Sequence, residues 1–193
     1  MNAKNYRSSR RLSALAPVVL LLLTVMGCDP SAVDWNLQIS ANTAAAVRFD
    51  VVGINLVDKQ DWASVSVDDY WKPNNTMRAN ANRLTFEIVD RKINLVETGE
   101  AGAEKGLQGL GTATMTVPRD HAKWKEWRGR NAVGLVVIGD FPGQARSPDQ
   151  RKRLVPLFKQ YWNTTDHLLK IEIQDDRIQV LTSPSSKAAK IAF

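Results

Sequence analysis

The 193-residue sequence is poor in the side chains that most enzyme sites are built from: it has one cysteine and two histidines. A single cysteine excludes an intrachain disulfide and any cysteine-rich metal site. With only His121 and His167 available, a zinc site would need carboxylates for most of its ligands, and they occur in no recognisable spacing. Gly109-Leu-Gly111 is a fragment of a phosphate loop without the lysine, and it precedes a strand-like segment where such loops open a helix. There is no G-x-S-x-G, and the serines cluster in loops and termini. Asp140 and the pair Asp68-Asp69 read as solvated strand-end or turn residues, and His121 and His167 as surface or capping residues. The inventory points away from catalysis and implies neither a metal nor another cofactor.

Acidic residues are missing from the N-terminus. Lys4, Arg7, Arg10 and Arg11 precede residue 28 and no Asp or Glu does, so the formal charge of +6 falls to 22 basic against 20 acidic side chains once residues 1–27 are set aside. A balance of +2 does not suggest nucleic-acid binding. The clusters Arg119-Lys123-Lys125-Arg128-Arg130 and Arg151-Lys152-Arg153 read as solvated faces, or as surfaces near anionic headgroups or an acidic partner.

Long hydrophobic runs are also scarce. The longest, Leu12–Met26, is about fifteen residues, short of the roughly twenty that span a bilayer. A positive start, a short apolar run and small residues after it form the pattern of a cleaved export signal. Its end, Val25-Met26-Gly27-Cys28, resembles the lipobox of bacterial lipoproteins. That resemblance implies cleavage by a signal peptidase that recognises Val25, Met26 and Gly27, with diacylglycerol and fatty acid attached at Cys28. At ~0.8 kcal/mol per buried CH₂, three acyl chains make such an anchor effectively permanent. Arg10-Arg11 is similar to a twin-arginine signal, but Ser13 and the strongly apolar core favour export in the unfolded state. Asp29 resembles the enteric signal for inner-membrane retention; the rule varies between bacterial groups, so the sequence gives a membrane and a periplasmic domain without assigning the leaflet.

The rest divides into a lipidated lead-in with a first strand (28–44), a β domain (45–181) and a tail (182–193). Trp35, Leu37 and Ile39 alternate with polar partners, as do Val47, Phe49 and Val51, and Gly53 suggests a bulge or twist. Ala63–Trp71 is expected as a strand because Val65 and Val67 alternate, a helical turn over Asp61–Val67 being the other reading. Lys72–Thr76 is a turn by composition. Arg83–Val89 and Lys92–Val96 form a hairpin about Asp90-Arg91. Thr98–Gly111 is a glycine-rich loop and Thr112–Val117 a half-polar strand. Pro118 opens a helix over Arg119–Arg128, with Gly129 as its C-cap. Ala132–Gly139 is the most deeply buried strand. Ser147–Arg153 is a helical turn or a loop stopped by Pro156, and His167–Ile173 with Arg177–Leu181 is a terminal hairpin. These segments predict a single, mainly β domain, an antiparallel β-sandwich of transthyretin or immunoglobulin type with one or two short helices.

Six tryptophans remain to be placed. Core packing is the favoured role. Trp62, Tyr70, Trp71 and Trp162 are the candidates for an exposed partner or glycan surface, which would make the chain a glycan- or peptidoglycan-binding lipoprotein.

A lipobox ahead of a small β-sandwich resembles the plan of the type VI secretion lipoprotein family called TssJ or SciN. The residues that carry the likeness are Ala46–Ile54 with its Val-Arg pair, Asp68-Asp69-Tyr70-Trp71, Gly134–Phe141 and the hairpin over Leu168–Leu181. The resemblance implies a transthyretin-like sandwich with an added helix and loop, no catalysis, and binding to the periplasmic part of a TssM-like, envelope-spanning protein.

Overall fold

The computed structural model describes residues 34–98, 106–142 and 150–188. The export signal with its lipobox lies outside them, as do parts of the 98–111 and 147–153 segments. Among the described residues, nine strands form two sheets packed as a sandwich. One has the order β5-β1-β8-β9, with β1 Asn36–Asn42, β5 Thr114–Val117, β8 Leu168–Gln174 and β9 Ile178–Val180. The other has the order β4-β3-β2-β6-β7, with β2 Val47–Ile54, β3 Arg83–Val89, β4 Lys92–Thr98, β6 Gly134–Asp140 and β7 Lys152–Pro156. Four short helices complete the fold: α1 Lys59–Ser64, α2 Val67–Tyr70, α3 Thr76–Asn80 and α4 Ala122–Gly129.

Alternation in β1 buries Leu37 and Ile39, next to Trp35, against Phe49, Val51, Phe86 and Val137 of the facing sheet. One pairing departs from the antiparallel expectation: β1 and β8 run parallel, in register from Asn36 opposite Leu168 to Asn42 opposite Gln174. Parallel neighbours need a long crossover, and most of the domain supplies it here. The hairpin of β3 and β4 turns at Asp90 and Arg91, both at positive φ, as a two-residue turn requires.

β2 and β6 are buried on both faces. Val47, Phe49 and Val51 enter the inter-sheet core, while Val52, Ile54, Val136 and Ile138 form a second apolar cluster with Trp62, Val67 and Tyr70. This explains the unbroken apolar run of β6, where Leu135–Ile138 are fully buried.

The structure corrects four local expectations. Ala63–Trp71 is the end of α1 followed by α2, not a strand: the Ser66 hydroxyl accepts a hydrogen bond from the Asp69 N–H at 3.4 Å, and Val67 and Tyr70 are buried at helical spacing. A serine cap and an i,i+3 apolar pair outweighed the valine alternation. The end of the 147–153 stretch belongs to β7, which continues through Pro156; an edge strand tolerates both proline and the basic Lys152-Arg153 pair. Gly129 is the last helical residue of α4, and Asn131 takes the left-handed conformation that ends it (φ 56°). Gly53 sits in unshifted register opposite Leu135 and makes no bulge. It is a place where the Trp127 side chain approaches the strand closely, since a Cβ there would clash with Trp127 Cγ and Cδ1.

Candidate functional site

The connection from β2 to β3 carries α1, α2 and α3 across the outer face of the five-stranded sheet. Trp62, Val67 and Tyr70 supply its apolar underside. Two basic residues at the edge of that sheet tie it down. The Lys152 ammonium donates to the carbonyls of Trp62, Ala63 and Val65 at 3.1, 2.8 and 2.7 Å, satisfying acceptors at the end of α1 that have no partner within the helix. Arg151 reaches Asp68 at 2.8 Å, and this ion pair holds the Asp68 carboxyl below its ordinary range.

Beneath the layer lies a buried carboxylate. Asp50, on β2, has no solvent exposure. Its Oδ2 accepts from the Tyr70 hydroxyl at 2.7 Å and from Arg78 Nε at 3.0 Å, and Arg83 Nε stands 3.5 Å away. Arg83 also donates to the Arg78 carbonyl, and the Arg78 guanidinium lies 4.5 Å from the centroid of the Trp71 ring. Burial, followed by the Asp50 charge, pushes the Tyr70 hydroxyl far above its usual range and keeps it a proton donor. A charge in this position is tolerable only with such partners, so the cluster fixes where the three helices sit on the sheet. Asp50 looked like an ordinary outward residue of an alternating strand. Its partners come from 20, 28 and 33 positions further along, where no local spacing could signal them.

Trp62, Tyr70 and Trp162 are buried, with 6%, 0% and 7% of their surface exposed. They therefore offer no stacking face, and Trp71 is half-buried beneath Arg78. Burial places Trp62, Tyr70 and Trp162 with the core packing favoured from the sequence, and the four residues do not form an exposed platform for a glycan. Three indoles spend their N–H groups on backbone carbonyls: Trp35 on Leu157 at 3.0 Å, Trp127 on Asn82 at 2.9 Å and Trp162 on Pro156 at 2.8 Å. These three rings are core, with polar edges satisfied by backbone carbonyls of the end of β7 and of the connections beside it and β3.

His121 caps α4 through Nδ1, which accepts from the Lys123 N–H at 3.2 Å, and the His167 ring packs 5.4 Å from that of Trp35. Asp140 is exposed at the end of β6, and Asp69 pairs with Lys72 on the surface. Lys123 departs from the solvated face expected of its cluster. It is buried, with its ammonium on Asn82 Oδ1 at 2.9 Å and on Glu126. Arg119, Lys125, Arg128 and Arg130 are exposed.

No protein-family model matches the sequence, and no curated protein matches it. Among solved structures the chain is similar to a chain of a type VI membrane complex, at 11% identity and a TM-score of 0.46, over 77% of this chain and 98% of the other. It is similar also to Lip of Serratia marcescens, a membrane-bound component of the type VI secretion system, at 8% identity and 0.43, over 78% and 99%. A third is the T6SS lipoprotein TssJ1 from Pseudomonas aeruginosa, at 9% and 0.37, over 79% and 98%. These are distant likenesses, and identities and TM-scores this low leave function to be argued from the chain itself.

Among the described residues, no three His, Cys, Asp or Glu side chains gather as a metal site, and no helix is long and apolar enough to cross a membrane. What the geometry provides is a two-sheet sandwich with a helical layer fastened at two points: Asp50 beneath it, and Arg151 with Lys152 at its edge. Such a layer displays a fixed surface.

Proposed function

We propose that this chain is a non-catalytic, lipid-anchored protein of the bacterial envelope that works through protein contacts, as the anchoring lipoprotein of a type VI-like secretion complex. The observation that carries the reading is the position of its only cysteine, at Val25-Met26-Gly27-Cys28, behind a short apolar run and ahead of a β domain. Cys28 bears the lipid, the domain stands in the periplasm, and the partner is the periplasmic part of a TssM-like protein. The helical layer over the Asp50 cluster supports a contact role, because a surface held in place by such contacts loses less conformational entropy when a partner binds.

Two arms test the reading. Radiolabelled palmitate is expected on the full chain and lost in Cys28→Ser; equal labelling of both contradicts the anchor. The lipidated chain is expected to bind the purified periplasmic part of the TssM-like protein from the same bacterium in a titration. Absence of binding contradicts the secretion assignment and leaves the anchor standing.

A further inference from the structure

Asp34 stands at the start of β1 with its carboxylate 3.2 Å from Arg128 of α4, in a hollow shared with Arg119 and Lys125. β2 runs back to the same end of the sandwich, where Ile54 pairs with Gly134 just after α4. Immediately beyond β2, Leu56 and Val57 are 60% and 86% exposed, more than any other large hydrophobic side chain among the described residues except each other. Arg130 lines the same hollow as their neighbours Asn55 and Asp58. One end of the domain therefore carries two bare aliphatic side chains and four exposed basic ones. The acids around them are Asp34, already paired with Arg128, and Asp58, Asp61, Asp120 and Asp166.

We propose that this end of the domain is the face that lies on the lipid bilayer, with Leu56 and Val57 entering the headgroup boundary and Arg119, Lys125, Arg128 and Arg130 meeting anionic phospholipid headgroups. The proposal rests on lipidation of Cys28. Six residue steps separate Cys28 from Asp34, a reach of at most about 20 Å. The far end of the sheet, at the β8–β9 turn with Asp175 and Asp176, lies a further strand length of roughly 25 Å away. A tether this short keeps the end that holds Asp34 next to the membrane and leaves the far end free to stand away from it. Exposed aliphatic side chains beside Arg130, with Arg119, Lys125 and Arg128 on the same end, suit that boundary, where apolar burial and local attraction of each exposed cation to anionic lipid act together although carboxylates stand among them. The helical layer then rises from the membrane surface toward the periplasm, open to a partner.

The lipidated full-length product, which has no thiol other than Cys28, allows one probe to be placed at a time. Val57→Cys and Asp176→Cys, each labelled with an environment-sensitive fluorophore, are reconstituted into phosphatidylcholine vesicles with and without phosphatidylglycerol, and the mass of the N-terminal peptide is recorded. The proposal expects a blue shift and quenching by a lipid-borne quencher at position 57 and neither at 176. It also expects the position-57 signal to weaken without phosphatidylglycerol, and in Lys125→Gln/Arg128→Gln/Arg130→Gln, by up to roughly fivefold in vesicle contact per basic side chain removed. Position 57 in water on vesicles carrying an acylated chain overturns this proposal alone, as does protection of position 57 only when a protein partner is added. A chain without acyl groups overturns the anchor and this proposal together.

Discussion

The Tyr70 hydroxyl donates to the Asp50 carboxylate across 2.7 Å, joining the second helix of the outer layer to the middle of the sheet beneath it. Neither side chain has any solvent exposure. The pair belongs to a cluster whose cations, Arg78 and Arg83, come from opposite ends of the stretch that leads into β3. Sheet, helices and the return into the sheet are thus joined at one carboxylate.

Replacing Asp50 by Ala leaves two guanidinium groups without their buried partner. The expected loss is about 3 kcal/mol, at the low end for a broken buried ion pair because both arginines keep some contact with water. Urea unfolding of the soluble domain measures it, and a loss below about 0.5 kcal/mol, the range of ordinary surface substitutions, contradicts the structural role given to Asp50.

Alkaline pH attacks the same place. The folded Tyr70 pKa lies far above the ordinary value of 10, so tyrosine ionises in the unfolded chain first. Stability is then unaffected by this group below pH 10 and falls as pH rises beyond it, because the folded state holds a proton that the unfolded state releases. Tyr70→Phe is expected to be less stable than the parent at pH 7, by about 1–3 kcal/mol for the donor withdrawn from a buried carboxylate, and to lose less on going to pH 11. Parallel slopes above pH 10 in thermal melts of the two proteins count against it.

Gly53→Ala places a methyl group within 2.4 Å of the Trp127 ring, which is part of the inter-sheet core. The strand offers no bulge to absorb it, so the ring must move. A cost of about 1–3 kcal/mol and an altered near-UV tryptophan spectrum are expected; an unchanged spectrum contradicts the close approach.

Lys152→Met removes the donor to three carbonyls at the end of α1 while keeping the length of the side chain. Hydrogen exchange is expected to quicken through Lys59–Tyr70 and to stay slow in β2 and β6. Equal quickening across the sheet would mean that the layer is not a separate unit.

The sandwich was legible because its inter-sheet core is built from simple alternation: β1, β2, β3, β8 and β9 fall within a few residues of the segments their patterns outline. The helical layer was not. Val65 and Val67 imitate a strand, and the residues that decide otherwise, Ser66 and Asn75 as caps and Asp50 as an anchor, act through single hydrogen bonds rather than through periodicity. β7 was hidden for a related reason, since Lys152 and the Arg151 that precedes the strand are spent on holding that layer and read as solvent-facing. The tryptophans were legible as core, and the indole N–H partners of Trp35 and Trp127 were not, because those carbonyls lie 122 and 45 positions away in sequence. Cys28, the residue on which the functional reading turns, was conspicuous in the sequence by being alone.

Whether Cys28 attaches the chain to the membrane is decided by the mass of the N-terminal peptide of the protein extracted from membranes of its own host. The expected chain begins at Cys28 and carries a diacylglyceryl thioether on its sulfur, with or without a further fatty acid on its amino group. A mature chain that begins at any other residue, or one that begins at Cys28 with a free thiol, would contradict this attachment.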